Sequence, residues 1–150
     1  MNSRTDETVI VRIVVSQADM KSCLAIRTDV FVSEQGVDIK HEVDIYDETC
    51  VHAIALMGFT PVGTGRLINI HSNTAQIGRM AVIKEWRRHN IGTKLLHELE
   101  NHAKTQGFTH LILHAQVYVQ KFYQGNGYTA TGDIFLDENI PHILMEKKLT

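Results

Sequence analysis

The chain has 150 residues, of which 43% are hydrophobic and 21% are charged, and its formal net charge at pH 7 is −2. This length suits one domain with an independent core and suits two domains poorly, so we expect a single domain over residues 1–150. The near balance of charges and the lack of a basic stripe argue against a nucleic-acid-binding protein.

The beginning of the chain carries no recognisable export signal. Residues 1–7 are polar, and the apolar run Val9–Val15 that follows is interrupted by Arg12. This run is too short to cross a membrane, and no small-residue cleavage site follows it. We therefore expect a cytoplasmic protein, in which Cys23 and Cys50 remain reduced because they form neither a metal-ligand spacing nor a disulfide framework.

The first third of the chain predicts a strand and a helix. Val9–Val15 is rich in β-branched residues, which favour a strand. Ser16 and Asp19 have the spacing of a capping box, and the apolar positions after them predict a helix to about Phe31. The polar, acidic stretch 33–49 predicts a second short helix or a loop.

Three strands are expected in succession before the middle of the chain. They are predicted at Val51–Gly58, Gly63–His71 and Ala75–Ile83. Pro61 presets a turn in the first connection, and Gly78 marks a bulge in the last of these strands. Short connections between them favour antiparallel pairing.

The second half changes to a helical period and then returns to strands. An apolar stripe that begins at Ile91 predicts an amphipathic helix, which Gly107 is placed to end. Thr109–Ala115 predicts a strand that lies parallel to the fourth strand through a right-handed crossover. A short helix ending near Gly125 to Gly127 and two closing strands follow, the strands at Tyr128–Phe135 and Ile143–Leu149.

The segment Arg87–Thr93, between the fourth strand and the long helix, has the composition of an anion-binding loop. A helix start offers unpaired backbone N–H groups and the positive end of the helix dipole. Gly92 permits close approach of a ligand, and Asn90 adopts left-handed conformations readily. The segment is neither a Walker A loop nor a G-x-G-x-x-G fingerprint. An ordinary loop with two solvated arginines explains the composition equally well.

Several blocks together resemble the GNAT superfamily of N-acetyltransferases. Its pyrophosphate loop is written Arg/Gln-x-x-Gly-x-Gly/Ala, and residues 87–92 match it with Asn90 in place of the first glycine. Phe122–Tyr128 is similar to the family's Phe/Leu-Tyr-x-x-x-Gly-Phe/Tyr segment. Three further blocks resemble the small ElaA-like subgroup, namely Val30–Gln35, Gly63–Leu67 and Ile140–Met145. The blocks span essentially the whole chain in family order.

The resemblance implies a GNAT-type α+β fold with a mostly antiparallel, twisted sheet of about seven strands and one parallel crossover between the fourth and fifth strands. It implies acetyl-CoA as co-substrate, held at its pyrophosphate by main-chain N–H groups and at its pantetheine arm by the fourth strand. The residues it assigns to this site are Met80, Ala81, Val82, Arg87, Arg88, His89, Asn90, Ile91, Gly92, Thr93, Gln116 and Phe122.

The resemblance also implies the catalytic groups. Tyr123 is the expected general acid for the leaving thiolate, because a phenol can donate a proton to it with only a small uphill step. The backbone N–H of Val82 or a neighbour is the expected oxyanion donor. The general base stays open among Glu34, His142 and His114, since a carboxylate or an imidazole can accept an amine proton through water.

Two other features have plain explanations. His110 and His114 lie on the same face of one strand, but no further ligand completes a metal site, so no metal is expected. The acidic run Glu42–Glu48 predicts a solvated loop rather than a surface that attracts a cationic acceptor.

The function implied by the resemblance is transfer of an acetyl group from acetyl-CoA to a primary amine of an unidentified small molecule or peptide, by direct attack in a ternary complex. The alternatives are a non-catalytic acyl-CoA-binding sensor or interaction module, and a structural α/β domain without such a ligand. Tyr123 favours the enzyme, since a pure binder needs no acid there. No nucleic-acid or membrane partner is expected, and a homodimer is compatible with the superfamily.

Overall fold

The computed structural model of the protein describes residues 8–150, so the predicted polar start at residues 1–7 lies outside the described residues. The strands are β1 Val9–Ile13, β2 Val51–Met57, β3 Thr60–His71, β4 Thr74–Val82, β5 His110–Gln116, β6 Thr129–Asp137 and β7 Ile140–Lys148. The α-helices are α1 Gln17–Arg27, α2 Ile39–Glu42, α3 Ile91–Thr105 and α4 Gln120–Gly125. Shorter helical segments are the π-helix Thr28–Glu34 and the 3₁₀ turns Ile45–Glu48, Lys84–Trp86 and Val117–Val119.

All seven strands belong to one sheet, in the order β1-β2-β3-β4-β5-β7-β6. Only the central pair, β4 and β5, is parallel, and α3 makes the crossover between them. The other neighbouring strands pair antiparallel. The expected mostly antiparallel sheet with one parallel crossover is confirmed.

The core lies between this sheet and α3. The helix buries its apolar stripe, and Ile91, Leu95 and Leu99 are at most 1% exposed. Burying a side chain of this size contributes about 1.5–3 kcal/mol. Gly63 on β3 permits the close approach, because a β-carbon there would lie 2.9 Å from Leu95 Cδ1. Among the described residues, no helix is long and apolar enough to cross a membrane.

The first helix continues beyond its predicted end at Phe31. Ser16 caps α1 by accepting from Asp19 N at 3.1 Å, while the Asp19 carboxylate pairs with Arg12 rather than completing a capping box. After α1 the chain widens into the π-helix Thr28–Glu34. No Gly or Pro stops the chain before Gly36, whose φ of +76° ends the helical run.

The first hairpin turns earlier than predicted. The turn is at Gly58 and Phe59, where Gly58 has φ +61°. Pro61, expected in the turn, lies in β3 opposite Leu56, where the register between β2 and β3 shifts. A proline lacks the N–H of a regular ladder and is accommodated at such an irregularity.

The last hairpin is also tighter than predicted, because β7 begins at Ile140 instead of Ile143. Its turn consists of Glu138 and Asn139, which both have positive φ, 52° and 62°. Two left-handed residues in succession match the twist of a two-residue hairpin. Asp137 at the end of β6 and Glu138 in the turn therefore lie at the end of the sheet.

The acidic run Glu42–Glu48 is not the predicted solvated loop. Glu42 is 2% exposed and Asp47 9% exposed, and both carboxylates accept hydrogen bonds from Arg27, which is fully buried. Buried carboxylates require such partners, because an unpaired charge in the interior is costly. The run is therefore a surface segment, with residues 43, 45, 46 and 48 exposed, whose two buried carboxylates tie it to the helical layer.

Two arginines of the sheet complete this buried ion network. Arg66 on β3 donates to Asp44 at 2.7 Å and to Asp47 at 2.9 Å. Arg79 on β4 donates to Glu42 at 2.9 Å. Hydrogen bonds from the guanidinium groups hold the pKa of Asp47 well below its usual range, against the effect of its burial.

Asp47, Cys50 and His52 bring three potential metal-ligand atoms within 4.8 Å of one another. Arg27 and Arg66 already occupy the Asp47 carboxylate, and burial raises the pKa of the Cys50 thiol to about 11. Two adjacent guanidinium groups and a protonated thiol oppose a cation. The group is therefore part of the ion network.

Candidate active site

The two central strands diverge and open a cleft in the sheet. β4 and β5 pair only over residues 74–77 and 110–113, after which β4 continues to Val82 and β5 to Gln116. The cleft has a volume of about 800 Å³. Its size is within the usual range for small-molecule and cofactor sites.

A bulge in β4 produces the divergence. Thr64 pairs with Ala81 and Arg66 with Gly78, so β4 has one more residue than β3 between these pairs. Arg79, directly after the predicted bulge position Gly78, has φ +50°. An extra residue bends its strand and increases the local twist. The bulge thus turns the end of β4 away from β5.

The end of β4 consequently presents an unpaired edge to the cleft. Met80, Ala81 and Val82 line the cavity and have a neighbouring strand, β3, on one side only. A strand edge of this kind offers main-chain donors and acceptors to an extended ligand. This is the segment expected to pair with the pantetheine arm.

The start of α3 forms one end of the same cleft. Asn90, its N-cap, is left-handed with φ 62° and ψ 17° and makes no capping hydrogen bond with its side chain. The first main-chain bond into the helix runs from Lys94 N to Asn90 O at 3.1 Å. The N–H groups of Ile91, Gly92 and Thr93 therefore lack a partner within the helix. Uncapped donors at the positive end of a 15-residue helix favour an anion.

Gly92 also has a packing reason for lacking a side chain. A β-carbon at this position would lie 3.3 Å from Cζ of Phe122 on α4. Both residues line the cleft. The close contact brings α4, and with it Tyr123, against the start of α3.

Arg87 is fully engaged inside the loop. Its Nε donates to the Val82 carbonyl at 2.9 Å, and its two Nη groups donate to the two carboxylate oxygens of Glu34, each at 2.7 Å. The guanidinium thus fixes the end of β4, whereas Arg88 stays exposed at the cleft. For a ligand phosphate, Arg88 is the more accessible cation of the two.

This contact also changes the interpretation of Glu34. Hydrogen bonding to Arg87 lowers the pKa of the Glu34 carboxyl, and both of its oxygens already accept a hydrogen bond. A carboxylate in this state is a poor acceptor for a proton from a substrate. The structure therefore disfavours Glu34 as general base.

The neighbouring Gln35 connects to the opposite wall of the cleft. Its side-chain amide exchanges hydrogen bonds with that of Gln116 at 3.0 and 3.3 Å, and it donates to Tyr118 Oη at 3.1 Å. Glu34 and Gln35 together form a bridge, from the loop after β4 to the end of β5. The amide of Gln116, expected to contact the cofactor, is held by this bridge.

Tyr123 presents little more than its hydroxyl to the cleft. The residue is 8% exposed, and its ring packs edge-on against Phe122 and Tyr128, with centroids 5.0 and 5.9 Å away. Its hydroxyl has no hydrogen-bond partner within residues 8–150. Burial raises its pKa, so the phenol stays protonated, and its proton transfer to a thiolate is more uphill than the small step expected from the sequence.

His142 faces the cleft from β7, opposite Gln116 on β5. Its Nδ1 lies 2.7 Å from the Ile140 carbonyl, which can only accept, so we assign the proton to Nδ1 and the lone pair to Nε2. Phe135 stacks on the His142 ring at 5.8 Å and meets His114 edge-on at 5.2 Å. Burial lowers the pKa of His114.

Most of the expected site residues line one cavity. They are Met80, Ala81, Val82, Arg87, Arg88, Asn90, Ile91, Gly92, Thr93, Gln116, Phe122, Tyr123 and His142. The imidazole of His89 is turned away, with Nδ1 2.9 Å from the Arg87 carbonyl. Sequence reasoning assigned no site role to Gln35, Asp137 or Glu138, which also line the cavity. Gln35 ends one of the blocks that resemble the ElaA-like subgroup, whereas the two acidic residues belong to no such block.

Comparisons with known proteins agree with this geometry. The family model described as "Acetyltransferase (GNAT) domain" matches residues 28–149. The uncharacterized protein YyaT of Bacillus subtilis is 35% identical over 140 residues, which cover 91% of this chain and 94% of YyaT.

Two solved structures show the same fold. An acyl-CoA N-acyltransferase of Pseudomonas aeruginosa superposes with a TM-score of 0.82 at 26% identity, covering 93% of this chain and 99% of that one. Escherichia coli ElaA has a TM-score of 0.83 at 22% identity, with coverage of 93% and 99%, and at that identity the likeness concerns the fold alone.

Proposed function

The chain belongs to the GNAT acetyltransferase family, and from this premise we propose that it transfers an acetyl group from acetyl-CoA to a primary amine of a small molecule or peptide. The observation that carries the proposal is the convergence of three features on one cavity. These are the open edge of β4, the uncapped start of α3 and the hydroxyl of Tyr123. The single sheet supports treating the chain as one catalytic domain.

The cleft suits acetyl-CoA in both shape and donors. The N–H groups of Ile91, Gly92 and Thr93 would donate hydrogen bonds to the diphosphate, and Arg88 adds a positive charge beside them. The pantetheine arm would pair with the free edge of Met80–Val82. The thioester would then lie between β4 and Tyr123.

The reaction needs no covalent enzyme intermediate. The neutral amine nitrogen attacks the thioester carbonyl carbon, and the backbone N–H of Val82 stabilises the oxygen that becomes negative. A preorganised donor of this kind contributes about 2.7–4 kcal/mol to catalysis. Holding amine and thioester together in line contributes up to about 7–11 kcal/mol.

Two side chains take part in the proton transfers of the reaction. His142 accepts the proton that the amine nitrogen loses, at Nε2 and directly or through one water, because its Nδ1 is occupied by the Ile140 carbonyl. The carbon–sulfur bond breaks, and Tyr123 donates its hydroxyl proton to the departing thiolate. The products are an amide and the free thiol of CoA, and proton transfer from His142 through solvent restores Tyr123.

Glu34 is assigned a positioning role in this scheme. It holds both Nη groups of Arg87, and Arg87 Nε in turn holds the Val82 carbonyl. The two contacts restrain the strand end that carries the proposed oxyanion donor. Glu34 thus acts through Arg87 and not on the acceptor.

The proposal is tested by release of free thiol from acetyl-CoA with a panel of primary amines. We expect release that requires both protein and amine, with an acetylated amine as product. His142→Gln is expected to lower kcat by about 10²-fold or more, as for loss of a general base. Glu34→Gln, which retains one acceptor for Arg87, is expected to lower it by less than about tenfold.

The outcomes separate the alternatives. Tight binding of CoA without acceleration by any amine would identify a sensor instead of an enzyme. If Glu34→Gln loses as much activity as His142→Gln, the assignment of the base to His142 is wrong. Melting curves of both variants control for loss of fold.

A further inference from the structure

The acceptor half of the cleft has an unusual distribution of charge. This half lies opposite the start of α3 and is bordered by the π-helix Thr28–Glu34, by α2 and by the β6–β7 turn. Asp137, the last residue of β6, and Glu138, the first residue of that turn, line the cavity, and both are exposed. A substrate that enters from this side meets these carboxylates first.

The Asp137 carboxylate makes no ion pair with any residue between 8 and 150. Its negative charge acts on the cavity. It favours the protonated form of His114 and so offsets part of the lowering of the His114 pKa by burial. Glu138 Oε1 contacts His41 Nδ1 at 2.6 Å, at a position where the imidazole is largely exposed. At least one of these two carboxylates, that of Asp137, is therefore without an ion-pair partner among the described residues.

The cations of this half of the cleft are already used. Arg66 and Arg79 reach the cavity wall, but Asp44, Asp47 and Glu42 accept their hydrogen bonds. Among the described residues that line the cavity, Arg88 alone is an arginine without a carboxylate partner. It lies at the start of α3, at the cofactor end, so a carboxylate on the acceptor would find no free arginine or lysine in the lining near the β6–β7 turn.

Part of the cavity wall is apolar. Val30, Phe31, Val37 and Ile68 belong to its lining, beside polar groups such as His114. Tyr123 and His142, each more than nine-tenths buried, line the same cavity, and the Tyr123 hydroxyl and His142 Nε2 have no hydrogen-bond partner among residues 8–150. Methylene groups fit such walls, with one polar end at Tyr123 and His142 and the other at Asp137.

Given the proposed acetyl transfer, on which this step rests, we infer that the acceptor is a small aliphatic amine with a second positive charge, such as a diamine, and not an amino acid. One amino group reacts beside His142. The second, protonated, lies near Asp137 and Glu138. Asp137 is the residue that determines this specificity, through charge complementarity at the rim.

Three four-carbon acceptors that differ at one end test this inference. They are 1,4-diaminobutane, 1-aminobutane and 4-aminobutanoate, which end in an ammonium group, a methyl group and a carboxylate. We expect kcat/KM for thiol release to fall in that order. An exposed charge pair changes an affinity by about a few-fold at most, so the total fall over the two steps should be about tenfold. The preference should weaken as the salt concentration rises.

Variants of the hairpin give a matched control. Asp137→Asn is expected to reduce the ratio between the diamine and the monoamine towards the statistical value set by the two equivalent amino groups of the diamine. Asp133→Asn, an exposed position on the same strand that does not line the cavity, should keep the ratio of the wild type.

The results distinguish two failures. If amines are acetylated but the order is flat or reversed, or Asp137→Asn leaves the ratio unchanged, the inference about the acceptor is wrong and acetyl transfer stands. If neither these acceptors nor a wider amine panel releases thiol, the proposed function fails, and this inference fails with it.

Discussion

Replacing Tyr123 by phenylalanine is expected to lower kcat by about 10²–10⁴-fold while affinity for CoA stays nearly unchanged. The ring is packed against Phe122 and Tyr128, so phenylalanine fills the same space. The lost hydroxyl has no partner among residues 8–150, and no internal hydrogen bond disappears with it. Thiol release at saturating acetyl-CoA and amine measures the effect.

Tyr128→Phe is the matched control for this variant. The Tyr128 hydroxyl donates to Glu100 at 2.6 Å in the core, so its loss should cost about 1–3 kcal/mol of stability and little activity. Tyr123→Phe should show the opposite pattern. A Tyr123→Phe enzyme with the wild-type rate would eliminate the proposed general acid.

Replacing Arg27 by methionine is expected to lower the free energy of unfolding by about 3–5 kcal/mol. The change leaves the buried carboxylates of Glu42 and Asp47 without their shared partner. Urea denaturation followed by circular dichroism measures it. Arg12→Met removes a partly exposed pair with Asp19 and should cost much less, because water and salt screen such a pair.

The same ion network makes the stability of the fold depend on pH in the acidic range. Because the folded-state pKa of Asp47 lies below its usual value of 3.8, its charge stabilises the fold above that pH. This contribution is lost as the pH falls from about 4 through the lower, folded-state pKa. Arg27→Met should reduce the slope of stability against pH in that range. An equal slope and a cost under 1 kcal/mol would show that the network does not support the fold.

The parts of the fold that local sequence determines were predictable. The apolar stripe of α3, its end near Gly107 and the strands on both sides of it follow from periodicity and from short connections. The left-handed conformation of Asn90 follows from the tolerance of asparagine for it. These features depend on neighbours within one or two turns of chain.

The contacts that organise the cleft were not predictable, because they join residues far apart in sequence. Glu34 and Arg87 are 53 positions apart, and Gln35 and Gln116 are 81 positions apart. A glutamate in a polar segment has the same local signature whether it is free or paired. The acidic run Glu42–Glu48 was misinterpreted as solvated for the same reason, since its arginine partners lie in other elements.

The central claim is that main-chain donors at the start of α3 and the open edge of β4 bind CoA. Isothermal titration of CoA into the purified protein tests it most directly. We expect saturable one-to-one binding with a dissociation constant in the range of about 1 μM to 1 mM, weakened by Arg88→Ala. Absence of binding of both CoA and acetyl-CoA at millimolar concentration, to protein shown to be folded, would contradict the account.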